Sequence, residues 1–183
     1  MSEIKKILLR NGSNITMRLL KQQDAESLYN YLNTLSAESR SRFGPHAFDK
    51  ETVNNICNNL NDDTQRFVAL TGETIVSYML FKKGMITEDA KRYTQYHMFF
   101  DEQTTVTYAP SVADEFQNTG LGSKMFQLIL ETLTQQHYQK IILWGGVQAT
   151  NARAVHFYLK HGFTSIANFW YDNKDNIDMV LSV

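Results

Sequence analysis

Residues Val112–Leu133 read V-A-D-E-F-Q-N-T-G-L-G-S-K-M-F-Q-L-I-L-E-T-L. An apolar, β-prone run ends near Val112, and a short polar loop with Gly120 and Gly122 follows. From there Leu121, Met125, Phe126, Ile129, Leu130 and Leu133 recur at helical spacing, the buried stripe of an amphipathic helix. The order is strand, glycine loop, helix. The start of a helix offers several backbone N–H groups with no partner inside the helix, together with the positive end of its dipole. Glycines let a phosphate come up to that backbone with no Cβ in the way. The stretch therefore reads as an anion site of a size that suits a pyrophosphate. On spacing alone the alternative is a tight strand-to-helix connection. It is neither the dinucleotide fingerprint G-x-G-x-x-G nor a P-loop, since no Gly-Lys-Ser/Thr follows at the right distance.

At these residues the chain resembles the GNAT superfamily of N-acyltransferases. That family carries Gln/Arg-x-x-Gly-x-Gly/Ala after its fourth strand, and here the segment stands as Gln117-Asn118-Thr119-Gly120-Leu121-Gly122. A second family segment, N-x-x-A-x-x-F-Y-x-x-x-G-F, runs from Asn151 through Ala154, Phe157 and Tyr158 to Gly162 and Phe163. The two motifs cover the C-terminal half, and the element order agrees over the whole chain.

The resemblance implies an α/β (α+β) GNAT fold. Its central sheet is mixed, mostly antiparallel and seven-stranded, splayed between strands four and five, with helices on both faces. It implies an acetyl-coenzyme A-dependent N-acetyltransferase acting on a primary amine of a small molecule or peptide, by direct attack in a ternary complex. The alternative on the same fold is a non-catalytic acyl-coenzyme A-binding module. In the family the loop holds the pyrophosphate, which assigns Gln117, Asn118, Thr119, Gly120, Leu121, Gly122 and Ser123 to cofactor binding. Backbone groups at Val112, Ala113 and Asp114 would pair with the pantetheine amides like an added strand, and the Val112 N–H would sit near the thioester carbonyl. Asn151 would hydrogen-bond the pantetheine arm, and Tyr158 would be the acid toward the leaving sulfur. Read without the family, Asn151 is an ordinary helix N-cap and Tyr158 an ordinary core aromatic.

The amine also needs a base. Many members of the family place a glutamate on strand four, and the register here puts Val106 there, between Thr105 and Thr107. Asp101, Glu102, His97, Tyr108 or a relayed water remain, with none privileged. Asp114 could orient the loop by capping backbone N–H groups.

At 183 residues the expectation is one GNAT domain over 1–183, large enough to bury a core. A formal net charge of -1 gives no basic face for nucleic acid. The single cysteine, Cys57, rules out an internal disulfide framework and falls on an apolar helical stripe. With no visible signal peptide or membrane-length apolar run, the expectation is a cytoplasmic protein that does not engage a membrane. The five histidines lack metal-ligand spacing, so acetyl-coenzyme A and an amine are the expected partners, without a metal. A homodimer stays open.

Outward from the two motifs, Ile4–Arg10 and Asn14–Leu20 flank Asn11-Gly12-Ser13 as a hairpin. Asp24 is expected to cap a helix buried through Leu28, Tyr31, Leu32 and Leu35, and Asp49 a second, buried through Val53, Ile56, Cys57 and Leu60. Between them Ser36–Phe48 is mostly loop, where Arg40, Arg42, Phe43 and His46 could meet substrate or, for the arginines, carry solvated charge. Gln65–Leu70 and Thr74–Phe81 form a second hairpin. Lys82–Gln103 has a helix-like start and a β-like aromatic end. Its rings at Tyr93, Tyr96, Phe99 and Phe100 would lie over the acceptor site or pack as core, the more usual fate. Thr104–Val112 is strand four and Lys140–Val147 strand five, apolar on both faces and weakened or bulged at Gly145-Gly146. Thr164–Tyr171 and Asn176–Val183 close the sheet around the turn Asp172–Asp175, so truncation of the last strand should damage the fold.

Overall fold

The computed structural model describes residues 4–183. Among the described residues nine strands make one mixed sheet: β1 Lys5–Leu8, β2 Asn14–Leu19, β3 Thr64–Thr71, β4 Thr74–Lys83, β5 Thr105–Val112, β6 Lys140–Leu143, β7 Val147–Gln148, β8 Thr164–Tyr171 and β9 Lys174–Ser182. The helices are α1 Ala25–Thr34, α2 Ala37–Arg40, α3 Lys50–Asn58, α4 Thr87–Gln95, α5 Leu121–Gln135 and α6 Ala152–Lys160. Hydrogen-bonded strand order is β1-β2-β3-β4-β5-β6-β9-β7, with β8 beside β9. The β5–β6 pair is parallel, and the other pairings with a defined register are antiparallel. The sheet thus has two strands more than the seven expected. One arises because Lys140–Val147 is broken at its two glycines into β6 and β7.

The chain divides into two compact units. The first runs to Phe81 and resumes over Ala109–Ile129; the second takes Lys82–Tyr108 and Leu130–Val183. In the first, the β1–β2 hairpin sets Ile7 opposite Ile15, with Gly12 supplying the positive φ of 85° that its turn requires. Leu28, Tyr31, Leu32 and Leu35 are buried as the helical stripe predicts, and so are Val53 and Cys57. Ile56 is half-buried, and Leu60 lies exposed beyond the end of α3. Asp49 caps α3, accepting the Thr52 N–H at 2.8 Å. Asp24 does not cap α1 with its side chain. Its carboxylate instead takes a two-pronged contact from Arg18 (2.6 and 2.9 Å) and the Lys21 N–H (2.8 Å). A guanidinium offering two parallel donors outcompetes a single backbone amide for the same oxygens.

In the second unit the stretch expected to be half helix, half strand is helix α4 followed by an irregular segment. Its rings go to the core. Tyr93 packs with Ile142 and Val180, and Met85, Tyr96, Met98, Phe100 and Ile166 close around them. Phe99 alone among the four aromatics stays exposed. β6 is apolar on both faces because it is hydrogen-bonded on both sides, to β5 and β9. The β8–β9 turn places Asp172 and Asn173 at φ 48° and 55°. These are the two consecutive positive values of a type I′ hairpin, and Asp and Asn tolerate them best after glycine.

Candidate active site

The glycine loop belongs to the first unit. β5 ends at Val112, a short 3-10 turn covers Asp114–Phe116, and α5 begins at Leu121. Asn118 and Gly120 hold positive φ (62° and 89°), which curls the chain tightly into the helix. The Thr119 hydroxyl bonds to Phe116 O at 2.6 Å and reaches the Leu121 N–H at 3.4 Å. The amide of Lys124 bonds to Gly120 O at 3.0 Å, so the amides ahead of it precede the helix's own ladder. A Cβ built at Gly120 would meet no protein atom within 4 Å. A glycine beside a helix start leaves the backbone open to approach by an anion. Behind it Leu121, Met125, Phe126, Ile129 and Leu133 are buried, with Leu130 half-buried.

Two residues assigned to the cofactor turn inward. Gln117 donates its side-chain amide to Val112 O (3.1 Å), Asp114 Oδ1 (3.2 Å) and Ser39 Oγ (3.3 Å). Asp114 accepts from the Ser36 N–H (2.9 Å), the Ser36 hydroxyl (3.1 Å) and the Ser39 hydroxyl (2.5 Å). Asp114 therefore ties the loop to Ser36, the N-cap of α2, and holds Gln117 of its own loop rather than capping that loop's backbone N–H groups. Burial pushes the Asp114 carboxyl up, but the donors from Ser36, Ser39 and Gln117 outweigh it and hold the group below the usual carboxylate range. Sequence reading missed Ser36 and Ser39. Their spacing of three is the signature of a helix start, and Ser36 Oγ also accepts the Ser39 N–H at 3.2 Å.

The neighbouring segment resolves as well. Arg42 pairs with Glu38 at 2.6 Å, Arg40 lies 5.2 Å over the Phe48 ring, and Phe43 is buried against Tyr78, Phe48 and His46. β5 is fixed from the same side. Ser111 Oγ sits 3.0 Å from the Tyr31 hydroxyl and donates to Tyr78 O at 3.1 Å, while Ser77 Oγ donates to Ser111 O at 2.6 Å.

The second motif belongs to the second unit. Asn151 caps α6, its side-chain oxygen accepting the Ala154 N–H at 3.2 Å. The Gly162 N–H closes on Leu159 O and the Phe163 N–H on Tyr158 O, each at 3.0 Å, with Gly162 at φ 87°. This is the glycine-terminated helix end that returns Phe163 to the core. Tyr158 is 7 % exposed, its ring edge-on to Phe163 and Phe157. Burial raises its phenol well above the ordinary value.

The β5 positions Thr105, Val106 and Thr107 are all buried, and no carboxylate stands among them. Thr107 donates its hydroxyl to Gly84 O at 2.8 Å. Of the other base candidates, Tyr108 is buried, and desolvation, together with the nearby Tyr158 phenol, raises its pKa far above the neutral range. Asp101 accepts the Gln103 N–H and Glu102 the Met85 N–H, each at 2.8 Å. His97 is an exposed residue just past α4, at φ 57°. Among the described residues no group of three or more His, Cys, Asp or Glu side chains could hold a metal ion. No described helix is long and apolar enough to cross a membrane.

The sheet is mostly antiparallel with one parallel pair, and a glycine loop leaves the first strand of that pair to open a helix. The chain belongs to the acetyltransferase (GNAT) family, whose model matches residues 26–163. Among solved structures it is similar to the GNAT domain of PAT from S. lividans, at 16% identity and a TM-score of 0.76, covering 98% of this chain and 97% of that one. It is similar to the ribosomal-protein-S5-alanine acetyltransferase of Vibrio fischeri, at 15% identity and a TM-score of 0.71, covering 92% of each. AAC(6')-Ib, in complex with paromomycin and acetyl-coenzyme A, aligns at 19% identity and a TM-score of 0.67, over 92% of this chain and 93% of that one. At these identities the likeness is one of fold. No curated protein matches the sequence.

Proposed function

We propose that this protein is an acetyl-coenzyme A-dependent N-acetyltransferase that acetylates a primary amine of a small molecule or peptide by direct attack in a ternary complex. The observation that carries this is the strand–loop–helix turn itself, in which Asn118 and Gly120 hold positive φ and the amides ahead of Lys124 precede the α5 ladder. Bound acetyl-coenzyme A supplies an activated thioester. The chain's part begins with Asn118–Ser123, whose backbone donors hold the diphosphate at the positive end of α5. The Ala113 N–H is given to Val76 O at 2.9 Å, so of Val112–Asp114 the strand-like hydrogen bonding to the pantetheine arm falls to Val112 and Asp114, and the Val112 N–H polarises the reacting carbonyl. Asn151, already fixed as an N-cap, is assigned to the same arm.

Tyr158 is assigned to the departing sulfur. Its buried phenol keeps its proton at neutral pH. A thiol ionises near 8.5 and an ordinary phenol near 10. Complete proton transfer from Tyr158 is therefore uphill, and its contribution is a hydrogen bond that strengthens as charge builds on sulfur. No carboxylate stands among the buried β5 residues, which leaves Asp101, Glu102, His97 and a relayed water as candidates to take the amine proton, none privileged.

That same absence supports a second reading, a non-catalytic acyl-coenzyme A-binding module. Thiol release from acetyl-coenzyme A against a panel of amines separates the two. The enzyme releases thiol with at least one amine and loses most of that rate in Tyr158→Phe. A module binds coenzyme A and releases no thiol with any amine. The ribosomal-protein alanine named for one neighbour and the paromomycin bound to another set the breadth of the panel.

A further inference from the structure

The second unit buries three charges away from the glycine loop. α4 contributes Asp89 and Arg92, and β9 contributes Asp178; both carboxylates are 0 % exposed and the Arg92 side chain 17 %. Arg92 donates to Asp178 through Nε at 3.0 Å and Nη2 at 2.9 Å, and to Asp89 through Nη2. The Tyr96 hydroxyl donates to Asp178 at 3.2 Å, and the guanidinium lies 3.8 Å over the Phe169 ring. Two carboxylates share one cation, so Asp89 is a surplus charge where surplus charge is costly. Desolvation accordingly raises its carboxyl above the ordinary range.

Asp89 does one thing beyond its pairing with Arg92: its second oxygen accepts the Gly145 N–H at 3.2 Å. That amide lies in the turn that ends β6. The Trp144 N–H makes a last bond to Tyr108 O at 2.9 Å, and the Gly146 N–H closes back onto Leu143 O at 3.3 Å. Gly145 thus stands third in a four-residue turn at φ 65°, the position that type II turns reserve for glycine. At Gly146 a Cβ would meet Ile177 O at 2.8 Å and the Phe169 ring at 2.9 Å. Beyond the turn the chain pairs with β9 as β7, Val147 opposite Ile177.

We propose that Asp89 is a positioning residue: anchored by Arg92, its carboxylate holds the Gly145 amide and so fixes the point at which β6 stops following β5. The catalytic consequence rests on the acetyltransferase reading above, with the donor arm entering the expected splay between β5 and β6, which begins where their pairing ends at Tyr108 and Leu143. Asp89→Ala removes the acceptor yet leaves Arg92 and Asp178 as a balanced pair. Asp178→Asn alters the same buried cluster without touching Gly145.

The test measures amide hydrogen exchange at Gly145, coenzyme A affinity, and the split between KM and kcat. In Asp89→Ala, Gly145 exchange should speed by about five- to tenfold relative to the β9 amides, the worth of one hydrogen bond. The Kd for coenzyme A and the KM for acetyl-coenzyme A should rise by a similar factor, with kcat kept. Asp89→Asn has one acceptor oxygen to divide between Arg92 and Gly145. It should show the same losses in smaller degree, and it serves if the alanine variant does not fold. Asp178→Asn should leave Gly145 exchange as in the native protein. The proposal is overturned if Asp89→Ala leaves Gly145 exchange unchanged, if Asp178→Asn speeds it equally, or if exchange rises while affinity and KM stay put. A native protein that fails to bind coenzyme A would instead remove the acetyltransferase reading, and the exchange result would still decide whether Asp89 holds the turn.

Discussion

Asp114 and Ser36 stand 78 residues apart in the chain, and the Asp114 carboxylate takes both the backbone N–H and the hydroxyl of Ser36. The start of the glycine loop is therefore tied to the start of α2, which carries Arg40 and whose next turn carries Arg42. Asp114→Asn keeps the shape but trades charge-assisted acceptors for a neutral amide. The site is solvent-exposed, so the stability loss should be small, about 1 kcal/mol. The larger effect should be a raised KM for both substrates, since one bond network sets both segments. Steady-state kinetics with each substrate varied checks it; a KM change confined to one substrate would show that the tie is local.

The same carboxylate has a pH signature. Its folded-state pKa is lowered, so the stability it contributes is fully present above the unfolded value of about 3.9 and is lost as the pH falls through the lower folded value. Between pH 5 and 8 in native protein the tie should be constant, by the same linkage. Thermal melts of the native chain and Asp114→Asn should accordingly run parallel over that range and converge only in stronger acid.

At the loop, Gly120 and Gly122 differ. Gly120 sits at φ 89°, so any side chain there adds backbone strain of about 1–2 kcal/mol whatever it does to a ligand. Gly122 lies within the first turn of α5, and a substitution there costs the helix little. Gly122→Val is thus the cleaner probe. It should weaken coenzyme A at least about tenfold, since a branched Cβ crowds the phosphates. Titration calorimetry beside a melting curve separates the two effects, and unchanged affinity in a folded variant removes the diphosphate assignment.

Tyr158→Phe should lower kcat by about 10²-fold, the low end for a lost proton donor, and leave coenzyme A affinity nearly unaltered. Because burial raises the phenol's pKa, Tyr158 stays protonated throughout neutral pH. A fall in rate on the alkaline side between pH 8 and 9 therefore belongs to another group and should persist in the variant.

Arg92→Leu should be the most damaging single change in the second unit. It leaves Asp89 and Asp178 buried together without a cation, a loss of about 3–5 kcal/mol. Asp89→Ala, which leaves a balanced pair, should cost far less. Chemical denaturation of the two variants checks the ordering, and equal losses would show that the cluster does not act through charge balance.

The motif-bearing parts of this chain were legible because local pattern and local structure coincide there. Val112–Leu133 is strand, loop and helix, and Asn151–Phe163 is a capped helix closed by Gly162. The weakening or bulge expected at Gly145-Gly146 is a full break that splits the strand in two. What the sequence hid depends on partners distant in the chain. Asp24 looked like an N-cap until Arg18, six residues earlier, claimed its oxygens. Asp114 showed no sign of Ser36. Asp178 stands in an apolar strand as the one acid within I-D-M-V-L, a signal that could have been read as a buried partner for a cation. Which cation, and that it came from α4, 86 residues away, had no local trace.

Cys57, the chain's single cysteine, is 2 % exposed, and burial pushes its thiol's pKa up. A thiol kept neutral and out of solvent reacts slowly with disulfide reagents. Colorimetric detection of released coenzyme A can consequently be run on native enzyme at high protein concentration, and colour that tracks the amine rather than the protein is turnover.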